Sequence, residues 1–242
     1  MELIPQISEL LSNSLTQIAN NSTFQVIAIS QNIKALYGGL IGVREEFFIK
    51  KIERFIISFM NGINQDEDAL KKFLEKSEKK LGQPGAVERL VIAIDRMDYE
   101  YKVEMVSALY IAWKTDLIDW ATFNDMLSIV ERWMDSDGGQ LLHIFRNFES
   151  DYDENTQLLK GRYTGLDLGG ISVTMQVSDR CSRLVGLGVL FPQKMATNPT
   201  MQSYQLTGCG MLMSELLLFK KIRTELKFTG PFSPYGNYKF QG

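Results

Sequence analysis

Val43 to Gly62 reads VREEFFIKKIERFIISFMNG, with Phe48, Ile52, Phe55, Ile56 and Phe59 recurring at helical spacing. These large apolar side chains fall on one face of an α-helix. Glu45, Glu46, Lys50, Lys51, Glu53 and Arg54 lie mostly elsewhere, and Asn61-Gly62 supplies a stop. A helix with so wide an apolar face needs others to bury it, so the chain reads as mainly helical.

The flanking segments agree. Upstream, Ile4, Ile7, Leu10, Leu11, Leu15 and Ile18 form a stripe over residues 4–20, and a second helix is expected through FQVIAISQNIKAL. Downstream, residues 66–81 read as a charged helix anchored by Leu70, Phe73 and Leu74. Helices then follow over AVERLVIAIDRM, over YEYKVEMVSALYIAWKTD and over WATFNDMLSIVERWM. The second of these places Val103, Val106, Leu109, Tyr110 and Trp113 on one side. Leu117-Ile118 is expected to be extended, with Asp119 as an N-cap. Successive amphipathic helices with short joints predict a helical bundle over residues 1–150, with DSDGG at 135–139 as a loop.

A polar, glycine-rich linker is expected over 151–170, and a small α+β module over 171–242. There ISVTMQV alternates like a strand, Ser178 could cap the helix DRCSRLVGLGVL, and FPQKMATNPTMQSYQLT supplies two extended arms. A long helix begins at GCGMLM. Helix, two-stranded wing, helix is an order that resembles the winged-helix family. Leu184, Gly186, Leu187 and Leu190 carry the likeness at the close of one helix. Tyr204, Leu206, Thr207 and Gly210 carry it at the start of the next. One departure is that no helix is expected just before Ser178, where the family has the first half of its helix-turn-helix.

Glu88 to Met134 resembles the helical domain of tellurite-resistance and related bacterial stress proteins. The matching features are the joint Asp95-Arg-Met-Asp98-Tyr-Glu100 and the helix entry at Asp119 and Phe123. The whole layout resembles uncharacterised bacterial proteins that join such helices to a terminal winged helix. Some of those lie near phage-defence genes, which implies an antiviral setting rather than an activity.

Composition bounds the function. The 242 residues are 45% hydrophobic and 23% charged, which suits a globular fold rather than a disordered chain. Two cysteines fit a reducing compartment, and MELIPQISELL lacks the basic start and apolar run of a secretory leader. A cytoplasmic location is therefore expected. The net charge of −3 disfavours nonspecific coating of nucleic acid. The C-terminal part is mildly basic, however, with ten Lys/Arg against seven Asp/Glu over 151–242.

No catalytic constellation stands out, and the chain reads as a non-enzyme with no cofactor and no metal. It has one histidine, His143, in the apolar context LLHIF. Phosphate-binding and nucleophile-elbow glycine patterns are absent from the sequence. Asp95, Asp98 and Glu100 cluster at a helix joint, where a solvated cap outweighs a hard-cation site. Arg180, Arg183 and Lys194 are the candidate nucleic-acid contacts of the winged-helix-like module. Phe232, Tyr235 and Tyr238, in an aromatic tail that Pro and Gly keep from being helical, are candidate partner contacts. The expected function is that of an interaction or regulatory protein, docking on DNA or on a protein through its C-terminal module, with a homo-oligomer left open. The alternative is a peripheral membrane effector using the N-terminal amphipathic helices, although no membrane span is expected.

Overall fold

Helix α3 (Val43–Asn64) buries Phe48, Ile49, Ile52, Phe55, Ile56, Phe59 and Ile63, so it outruns the stop expected at Asn61-Gly62. Gly62 is a point of close approach, not a terminator. A Cβ built there would lie 2.6 Å from Cδ1 of Ile111, so a larger residue would require the end of the Ile111 side chain to move.

The computed structural model describes residues 3–20, 26–37, 42–64, 70–71, 73, 75, 85–139, 141, 152–153, 158–159, 163–164, 175–194 and 202–219. The architecture is mainly helical, and the chain forms two compact units, Met1–Glu131 and Arg132–Gly242.

The first unit contains α1 (Ile4–Asn20), α2 (Val26–Leu36), α3, α4 (Ala86–Arg96) and α5 (Glu100–Lys114), and α6 (Trp120–Arg132) runs to its boundary. Helix α3 lies along α5, α1 packs on α4, and α2 packs on both α1 and α3. Ile7, Leu11 and Leu15 of α1 are buried. Ser8 and Ser14, inside the helix, donate to the carbonyls of Ile4 and Leu10, each at 2.7 Å, which satisfies hydroxyls that would otherwise be costly there.

Helix α5 differs from the one-sided helix expected. Residues 102–110 are buried without a break, including Lys102, Glu104 and Ser107. The two charged side chains reach partners: Lys102 to Asp98 at 2.6 Å, and Glu104 to Arg54. A chain of aromatic rings joins the elements, from Phe73 through Phe59 and Phe55 to Tyr110, Trp113, Phe123 and Trp120. Burial pushes the Tyr110 hydroxyl far above its ordinary pKa.

The joint after α5 corrects another expectation. Leu117 and Ile118 are not extended: both amides donate to the Ala112 carbonyl, at 2.9 and 3.3 Å. Asp116 takes a left-handed conformation, φ 63°, and its amide donates to the Trp113 carbonyl at 3.2 Å. This crossed pair of bonds is a Schellman ending, with aspartate in the position glycine usually holds. Asp119 then caps α6 as expected, accepting from the Thr122 amide at 2.7 Å.

In the second unit, residues 135–139 form a helical turn rather than a loop. Asp137 explains it. Its carboxylate accepts from the Met134 amide at 2.9 Å, while its own amide donates to the Met134 carbonyl at 2.9 Å. The Asp137 carboxylate thus supplies one half of a capping box, reaching back to the first amide of the turn, and the other bond is the turn's own backbone bond. Strands β1 (Tyr152–Asp153) and β2 (Leu158–Leu159) pair antiparallel. Strands β3 (Tyr163–Thr164), β4 (Leu190–Lys194) and β5 (Gln202–Leu206) form a sheet in the order β3-β5-β4, with Leu190 opposite Leu206 and Lys194 opposite Gln202.

Helix α7 (Met175–Gly186) begins before Ser178, so Met175 to Val177 are helical rather than strand-like and Ser178 is not a cap. The short alternation there is outweighed by the helical spacing of buried Cys181 and Leu184 downstream. Helix α8 (Gly208–Phe219) buries every residue from Cys209 to Leu216. Both cysteines are buried and neither is in a disulfide, and burial raises the Cys181 thiol above its usual pKa.

Candidate functional site

Helix α7 carries Arg180 and Arg183, and β4 ends on Lys194. These two neighbouring elements thus hold all three basic residues singled out as phosphate contacts. Helix α7 ends as α5 does. The Gly188 amide donates to the Val185 carbonyl at 2.9 Å and the Val189 amide to the Leu184 carbonyl at 3.0 Å, with Gly188 at φ 79°. The turn delivers the chain directly into β4. From there the Thr207 amide donates to the Val189 carbonyl at 3.2 Å, and the Thr207 hydroxyl donates to the Gly188 carbonyl at 2.6 Å. The same hydroxyl oxygen accepts from the Gly210 amide at 3.0 Å, capping α8. One threonine therefore ties the end of α7, the hairpin and the start of α8 together.

Arg183 is not a free cation. Its Nε donates to both carboxylate oxygens of Asp137, at 2.9 and 3.0 Å, and its Nη2 donates to the Arg132 carbonyl at 2.6 Å. Asp137 is only 2% exposed and the Arg183 side chain 35%, so the guanidinium neutralises a buried carboxylate from the rim. Its charge is largely spent inside the unit. The side chains of Arg180 and Lys194 lie outside the described residues. Phe232, Tyr235 and Tyr238 lie outside them altogether, as does His143.

The acidic cluster of the first unit is likewise occupied by cations of the chain. Asp95 pairs with Arg44 at 3.3 Å and Asp98 with Lys102 at 2.6 Å. Lys51, 3% exposed, donates to the carbonyls of Asp95 and Met97 and lies 5.1 Å from the centre of the Phe47 ring. Burial lowers the Lys51 pKa. For Asp98, burial opposes ionisation, yet the Lys102 hydrogen bond, a backbone hydrogen bond and the Lys102 and Lys51 charges hold it below the usual carboxylate value. Among the described residues, no group of three or more His, Cys, Asp or Glu could hold a metal ion. The two buried lysines are what the acidic residue pattern did not announce. The signal was available in Lys51, which lies next to Ile52 on the apolar side of α3.

The Phe48–Phe59 stripe that motivates the membrane alternative is buried in the first unit. Among the described residues, no helix is long and apolar enough to cross a membrane. The chain matches no family model, no curated protein and no solved structure.

Proposed function

We propose that this chain is a non-enzymatic interaction protein whose second unit is a winged-helix-like module that docks on a protein partner. The order α7, β4, β5, α8 supports the module. The observation that favours protein over DNA is the commitment of Arg183 to Asp137 and to the Arg132 carbonyl. A phosphate contact gains affinity by bringing a solvated cation to the duplex and releasing counterions. Arg183 would first have to abandon a buried carboxylate. Arg180 and Lys194 are then the remaining candidate phosphate contacts, in a chain of net charge −3. The resemblance to bacterial stress proteins, and to uncharacterised bacterial proteins some of which lie near phage-defence genes, adds a setting to this reading.

The test uses the full chain. Titrated against duplex DNA at low and moderate salt, it should show little affinity, and Arg180→Ala and Lys194→Ala should leave the salt dependence unchanged. Cross-linking in cells that make the protein natively should capture a protein partner through α7, and Arg180→Glu should abolish that capture. Duplex binding whose log–log salt slope falls by about 0.9 for each lost basic residue would instead make the module a DNA reader.

A further inference from the structure

We draw no further inference here: the strongest candidate, the surface patch of exposed Val43, Phe47 and Ile57 along one face of α3, carries none because nothing in the structure shows what covers it.

Discussion

Deleting the Arg183 side chain strands a carboxylate that is 2% exposed. Removing one partner of a buried pair costs about 3–5 kcal/mol, and the partial exposure of the guanidinium brings the expectation for Arg183→Ala down to about 2–3 kcal/mol. Chemical denaturation checks it: a loss under about 0.5 kcal/mol, the usual surface value, would mean the pair is dispensable. Lys51 offers a test by pH. Its folded-state pKa lies below the ordinary 10.5, so between that lowered value and about 10.5 the unfolded chain binds more protons. Stability contributed by this group therefore rises with pH through that window and falls as pH drops back through it. Denaturant midpoints followed from pH 8 to 10.5 should climb for the parent relative to Lys51→Met. Parallel pH profiles would dismiss the assignment. Little of this was legible beforehand. Arg183 looked like an exposed phosphate contact because its partner lies 46 residues upstream, a distance across which local patterns carry no information.

Helix endings show where pattern reading works. Asp119 is recognisable as a start because a cap acts on amides two or three positions away, whereas Thr207 stands out only through the winged-helix resemblance. The two Schellman endings are not recognisable, since left-handed backbone at Asp116 and Gly188 is decided by where the following segment must go. The start of α7 was missed for a related reason: four or five alternating residues satisfy strand and helix periods about equally. Thr207 is the element-scale test. In Thr207→Val the hydroxyl no longer accepts from Gly210 or donates to Gly188, and loss of a cap costs about 1–2 kcal/mol. Amide exchange at Gly210 and Met211 should quicken with it. Exchange unchanged at those positions would show that the cap is redundant.

At the scale of the whole chain, the apolar periodicity of residues 43–59 was enough to predict a helical body, and the predicted face is the one buried. Phe55, fully buried and in ring contact with Phe59 and Tyr110, should cost about 3–5 kcal/mol when cut to alanine. A change under 1 kcal/mol in denaturation would mean the core lies elsewhere. What periodicity could not convey is which helix sits in the middle. A helix buried all round shows no stripe, because small residues such as Ala108 and Ser107 fill the side opposite the large ones. Helices α5 and α8 both have this property, one in each unit. Its consequence is a particular pattern of mutational tolerance. Saturation substitution along α3 should give a rhythm, permissive at Lys50 and Ile57 and strict at Phe55 and Phe59, repeating every three to four positions. Along residues 102–110 and 209–216 that rhythm should be missing, and each successive position should resist added bulk or charge, so the two centres of the molecule could be found from growth scores alone as the places where helical periodicity falls silent.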